Sequence, residues 1–364
     1  MKIAIILGTR PEIIKMAPVI DVCCQRHVDF FIIHTNQHYY ESLDKIFFRE
    51  LDLPTPKYCL KVGSGKQGEQ TGKILSLTEK YLLKEKPDIV LVQGDTNSTL
   101  GGALAACKIP GIKIGHIEAG LRSYDRTMPE EINRIIVDHL SHYLFAPTQN
   151  QEKILISEGI NKSKIFITGN TIVDSLNKNL VKIKKFNYLL KQYNIKKNHY
   201  FLLTLHRPSN VDDKATLKEI FLILKQISKR YKLPIFFPTH PRTLSKIKQF
   251  HLKIPQEIIL TKTLGYWEFL FLEKNALLIL TDSGGIQEEA CILHIPCVTI
   301  RNNTERPETI NVGSNIISGN DERKIIKAIN KMIVITKPHW KNPFGNGTAG
   351  EKIIKIILAT NKSV

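Results

Sequence analysis

No stretch of the 364-residue chain approaches the roughly 18 consecutive apolar residues that a membrane-spanning helix needs. The opening MKIAIILGTRPEIIKM has an apolar run too short for a secretory signal, so a soluble, cytoplasmic protein without a membrane partner is expected. Cysteine is sparse: six residues, no CxxC pair and no His cluster at zinc spacing, which removes disulfide scaffolds and structural zinc sites. Cys23, Cys24, Cys59, Cys107, Cys291 and Cys297 read as reduced thiols of the core. Low-complexity tracts and short-period repeats are absent as well. With 42% apolar and 24% charged residues, the composition is that of a folded globular chain.

Acidic residues are the other shortage, 34 against 52 basic, for a formal charge of +18. Residues 1–180 are nearly balanced, with 22 basic and 20 acidic side chains, which leaves 30 basic and 14 acidic to residues 181–364. The excess is mostly Lys on helix-like stretches without interleaved aromatics, so it reads as a solvated surface and not as a nucleic-acid groove.

Short β-branched runs recur at 2–8, 30–35, 88–94, 112–120, 143–148 and 165–170, each followed by helical spacing. After a polar, Lys-rich stretch near 177–199 the pattern restarts at 200–206, 234–240, 257–261, 276–283 and 296–301. Near-continuous apolar strands alternating with helices imply parallel sheets covered on both faces. The expected fold is α/β, with two Rossmann-like doubly wound domains facing across a cleft, 1–175 and 176–364. A terminal helix near 348–360 is expected to pack back on the N-terminal domain.

Ligands of open parallel sheets bind beyond the carboxyl ends of the strands, so the residues following each run carry the chemistry. Gly8-Thr9-Arg10-Pro11-Glu12, with Lys15 a turn further, offers a helix N-terminus and two cations, but neither GxGxxG nor a P-loop. Acids concentrate in the first half: Asp95 in QGDTN, Glu118 in HIEAG, and Glu130 and Glu131 in MPEEINR. Any one alone is more often a cap or an ion-pair partner; their convergence argues for chemistry. The second half supplies His206-Arg207, His240, the Gly-rich turn Asp282-Ser283-Gly284-Gly285 with Glu288 and Glu289, and Arg306. These types suit a diphosphate and a ribose diol.

Taken together, GTRPEIIK, QGDTNSTL, HIEAGLRS, MPEEINR, ITGNTIVD, LHRPSN, LTDSGGIQEE and TERPE resemble the non-hydrolysing UDP-N-acetylglucosamine 2-epimerases, in order and from the first strand to the terminal helix. The resemblance implies the GT-B fold and interconversion of UDP-GlcNAc and UDP-ManNAc without a dissociable cofactor or metal, in a homodimer. It implies Asp95, Glu118, Glu130 and His206 as catalytic residues. Arg10, Lys15, His240, Ser283, Gly284, Gly285, Glu289 and Arg306 become contacts to the UDP-sugar. Closure of the cleft over the substrate is expected, because an escaped glycal would be a dead-end product.

Two departures from the family pattern stand out. Where many relatives read HRxEN, this chain has His206-Arg207-Pro208-Ser209-Asn210. Where bacterial relatives bind an activating second substrate, it has Gln37-His38-Tyr39-Tyr40 and Glu69-Gln70-Thr71; an acid at Glu69 predicts weak or altered activation. The rival activities are a hydrolysing 2-epimerase, an epimerase of a modified UDP-HexNAc, and a GT-B glycosyltransferase.

Overall fold

A computed structural model describes residues 1–37, 41–335 and 338–360, with 41–44 described by their backbone alone. The chain divides into two compact units: Met1–Asn177 together with the stretch from Phe344 onward, and Lys178–Pro343.

The first unit is built on β1 (Lys2–Leu7), β2 (Asp29–His34), β3 (Tyr58–Cys59), β4 (Ile89–Gln93), β5 (Lys113–Ile117), β6 (Tyr143–Ala146) and β7 (Ile165–Ile167). They lie in the order β3-β2-β1-β4-β5-β6-β7, all parallel. In β1 and β4 nearly every residue is a buried Ile, Val, Leu or Ala, as a sheet with helices on both faces requires. Ala4, Ile6, Val90, Val92 and Ile114 form the middle of its core, packed against Leu100, Ala103 and Val137 from the covering helices.

The second unit repeats the plan with β8 (Phe201–Thr204), β9 (Ile235–Pro238), β10 (Ile258–Thr261), β11 (Leu278–Thr281), β12 (Cys297–Thr299) and β13 (Asn315–Ile317). The order is β10-β9-β8-β11-β12-β13, again parallel. Its core joins Phe201, Leu203, Phe237, Leu278, Leu280 and Val298 to Leu217, Ile220, Leu224 and Ile329. The α/β, doubly wound reading therefore holds for both units. Strand order reverses between β1 and β4 and between β8 and β11, and those crevices are where such sheets take ligands.

β3 and β13 are missing from the runs read in the sequence; at two and three residues they are too short to show a period. The cysteine expectation is corrected in half: Cys23, Cys291 and Cys297 are buried, but Cys24, Cys59 and Cys107 are exposed. Cys24 turns away from the core because it follows buried Cys23 on one helix. Cys59 lies on the edge strand β3, and Cys107 ends its helix. The terminal helix Ala349–Thr360 packs on the helix Arg10–Gln25, with Gly350 so close that a Cβ there would come 2.8 Å from the Pro18 carbonyl oxygen. Among the described residues no helix is long and apolar enough to cross a membrane.

Candidate active site

In the first unit the site begins at the turn after β1. A Cβ on Gly8 would fall 2.0 Å from Thr35 Oγ1 and 2.1 Å from Ser98 Oγ, so the chain passes here only as glycine. The helix Arg10–Gln25 follows, started by Pro11 in its first turn. Arg10 stands half-buried over the Phe47 ring, 5.9 Å from its centroid. Lys15 is buried, and its Nζ donates to Glu118 Oε1 at 2.5 Å.

Glu118 follows β5 directly, with φ at 70°, a left-handed conformation that a residue with a side chain seldom adopts. Its other carboxylate oxygen accepts from the Gln93 amide at the end of β4, and Asn170 Nδ2 approaches Oε1 at 3.4 Å. Oε2 would stand 3.7 Å from a Cβ on Gly94, which places Glu118 beside the turn carrying Asp95. Asp95 Oδ2 takes two bonds from Arg134, Nε at 3.0 Å and Nη2 at 2.6 Å, while its side chain stays 27% exposed. Arg134 also donates to buried Glu131 at 2.6 Å, and Glu131 accepts from Ser123 and the Tyr124 amide. Glu130 is half-buried in the first turn of the same helix, Pro129–Leu140.

Beneath these turns His116 is fully buried, one ring nitrogen 2.7 Å from Asp138 and the other 2.8 Å from the Gly94 carbonyl oxygen. Burial alone would raise the Asp138 carboxyl, but His116 and Arg122 outweigh it and hold it below the usual range. Glu12 is buried with oxygens accepting from the Gly8 amide at 3.0 Å, Thr96 Oγ1 at 2.8 Å and Thr99 Oγ1 at 3.1 Å. Burial pushes it up to about 7 in spite of those bonds.

In the second unit Asp282, fully buried after β11, joins the two crevice turns. It accepts from the His206 amide at 3.0 Å, the Arg207 amide at 2.9 Å and Asn210 Nδ2 at 3.1 Å. Its Oδ1 also faces His206 Nδ1 at 3.1 Å. Burial would raise this carboxyl; the His206 ring and the two amides win, and it lies below its ordinary value. The His206 ring, 34% exposed, lies 5.4 Å from that of His240, which caps the helix Pro241–Gln249. Pro208 opens the short helix Pro208–Val211, so the departure from HRxEN keeps Asn210 on Asp282.

Ser283 caps the helix Gly284–Leu293, and Gly284 is pinched: a Cβ would lie 2.8 Å from Glu305 Oε1. Gly285 by contrast is roomier: the nearest atom to a Cβ there would be Ser283 Oγ at 4.0 Å. Around this turn Arg207 and Arg301 both pair with Glu305, at 3.1 and 3.0 Å, and Arg306 pairs with buried Glu288 at 2.5 Å. Glu289, a turn further, adjoins the fully buried Glu273, whose carboxyl is raised well above its ordinary range, first by burial and then by Glu289.

The twelve candidates thus form two groups: Arg10, Lys15, Asp95, Glu118 and Glu130 at the crevice of the first sheet, and His206, His240, Ser283, Gly284, Gly285, Glu289 and Arg306 at that of the second. Glu12, Gln93, Glu131, Arg134 and Asp282 were not among them. A charged residue inside the apolar run that opens a helix marks Glu12; Arg134 carries the signal of a cation one turn after paired acids. Glu69 is exposed and pairs with Lys73 at 2.7 Å, while Gln70 is buried on the Gly63 and Gln37 carbonyls. His38, Tyr39 and Tyr40 lie outside the described residues. Among the described residues no group of three or more His, Cys, Asp or Glu is arranged to hold a metal ion.

Comparison with known proteins gives a match over residues 22–358 to the family model described as UDP-N-acetylglucosamine 2-epimerase. The chain is similar to the UDP-N-acetylglucosamine 2-epimerase of Methanocaldococcus jannaschii, 55% identical over 98% of this chain and 99% of that one. It is equally similar to that of Methanococcus maripaludis, 55% identical over 99% of each. A crystal structure of the M. jannaschii protein in complex with UDP-GlcNAc and UDP superposes with a TM-score of 0.94, covering 99% of this chain and 100% of that one, at 55% identity.

Proposed function

The chain belongs to the UDP-N-acetylglucosamine 2-epimerase family, and from that membership and the geometry of the two crevices we propose that it interconverts UDP-GlcNAc and UDP-ManNAc by the non-hydrolysing route. The hydrogen on C2 of the hexose is not adjacent to a carbonyl, so no carboxylate of ordinary basicity removes it from the intact sugar. As the C1–O bond breaks, its electron pair leaves with UDP and positive charge grows at C1. C2–H becomes acidic, a carboxylate takes the proton, and the C–H pair forms C1=C2. The glycal then accepts a proton on the opposite face of C2 while a UDP oxygen re-adds at C1. Substrate and product differ only at C2, and no cofactor is consumed.

Asp95 and Glu118 are the proton-transfer pair in this reading, with Glu130 beside them. The observation that carries it is their placement at the ends of neighbouring strands β4 and β5, each carboxylate oriented by a cation from another element, Arg134 and Lys15. Arg10 and Lys15 supply positive charge at that crevice. In the second unit Ser283, Gly284 and Gly285 offer amides to the diphosphate, with Arg306 and His240 near it and Glu289 for the ribose diol. His206, fixed by Asp282, donates to the departing diphosphate. A homodimer is part of the proposal.

Proton NMR of the protein with UDP-GlcNAc in deuterated water tests it. UDP-ManNAc carrying deuterium at C2 is expected. Free ManNAc with UDP would establish the hydrolysing reaction instead, and UDP-ManNAc without deuterium would overturn solvent-exchangeable proton transfer.

A further inference from the structure

The mechanism leaves three buried acids of the first unit unused, Glu12, Glu131 and Asp138; the last two pair with Arg134 and Arg122. Glu12 is 1% exposed, sits in the first turn of the helix Arg10–Gln25, and has no cation among its partners in the described residues. The groups facing it are the Gly8 amide from its own turn, the hydroxyls of Thr96 and Thr99 from the turn and helix after β4, and the Thr9 hydroxyl beside it. All are uncharged, and all can donate. An isolated carboxylate away from water is costly unless its lone pairs are filled, and here they are filled from two different strand ends.

Those two strand ends carry the candidate chemistry. Gly8 leads into Arg10 and Lys15, and Lys15 holds Glu118. Thr96 directly follows Asp95 and caps the helix Asn97–Cys107, while Thr99 shares its one hydroxyl proton between Glu12 and the carbonyl of Gln93, the residue whose side chain bonds Glu118. We propose that Glu12 is a positioning residue: its carboxylate ties the turn bearing Arg10 and Lys15 to the turn bearing Asp95, and so sets the spacing of the two proton-transfer acids. The tie as built is made by an acceptor. Protonation turns one oxygen into a donor, and an amide in its place does the same permanently, so the threonine hydroxyls must turn from donating to accepting while the Gly8 amide can only donate. Since burial places the Glu12 carboxyl at about 7, the tie strengthens as pH rises through that value.

The proposal rests on the epimerase reading, and its test separates the two. Glu12→Gln keeps the shape of the side chain and is expected to lower kcat about tenfold or more, with KM and the Kd for UDP within about twofold. The wild type is expected to show an acid limb in kcat with a midpoint near pH 7, absent in Glu12→Gln. The double variant Thr96→Val with Thr99→Val, which removes the hydroxyl ends of the tie, is expected to lower kcat similarly. Combined with Glu12→Gln it is expected to add little more. Wild-type kcat in Glu12→Gln with the acid limb intact would overturn the proposal. So would fully additive losses, or losses of kcat and UDP affinity that only track a lowered Tm. An Asp95→Asn variant that turns over normally would instead remove the epimerase assignment of Asp95, whatever Glu12 does.

Discussion

The two units share a sheet plan and differ in how they treat buried charge. In the first, three cations hold five acids: Lys15 holds Glu118, Arg134 holds Asp95 and Glu131, and Arg122 holds Asp138 and Glu158. In the second, three arginines around the Gly-rich turn, Arg207, Arg301 and Arg306, share the two acids Glu305 and Glu288. The cations of the first unit keep its carboxylates oriented. The arginines gathered beside the Gly-rich turn bring positive charge to where an added anion would sit. In the proposed reading the same architecture hosts proton chemistry at one crevice and anion binding at the other, through side chains grafted on equivalent strand ends.

Removing a carboxylate from the first unit should break the division most sharply. Asp95→Asn and Glu118→Gln are each expected to lower kcat by roughly 10²–10⁴-fold, with UDP affinity by titration calorimetry nearly unchanged; a parallel loss of affinity would mean that the division of labour is wrong. Lys15→Met leaves Glu118 buried without its cation and should cost about 3 kcal/mol or more in denaturant unfolding.

Gly284→Ala probes the second unit: its methyl must displace Glu305, upsetting the shared arginines, and the Kd for UDP is expected to rise about tenfold while folding holds. The mildest test concerns pH. Glu273 has its folded value raised, so its contribution to stability is complete below the ordinary 4.5 and fades as pH rises. Glu273→Gln should therefore lose less stability than the wild type as pH rises above about 5, by up to roughly 1.4 kcal/mol per pH unit. Equal slopes in thermal melts would show that Glu273 ionises freely.

The strands were legible because buried parallel strands are continuous apolar runs, and the candidate residues because such sheets expose chemistry at one end. What stayed hidden was pairing. Arg134 meets Asp95 across 39 residues and Lys15 meets Glu118 across 103. Nothing in local spacing records such contacts, which exist only once the sheet has set its strand order. Glu118 shows the same limit in the backbone: its sequence neighbours give no hint of the left-handed φ that aims it. The three exposed cysteines were misread for a related reason, since an apolar neighbourhood in sequence does not say which side of a helix or which edge of a sheet a side chain will occupy.

The return of the last helix to the first unit has a temporal corollary. During synthesis from the amino terminus, every residue of Lys178–Pro343 has emerged before Ala349–Thr360 can settle on the helix Arg10–Gln25. The lobe translated first is therefore the one finished last. A chain halted before Ala349 would hold all of Lys178–Pro343 and leave an open flank on the unit that carries Asp95 and Glu118.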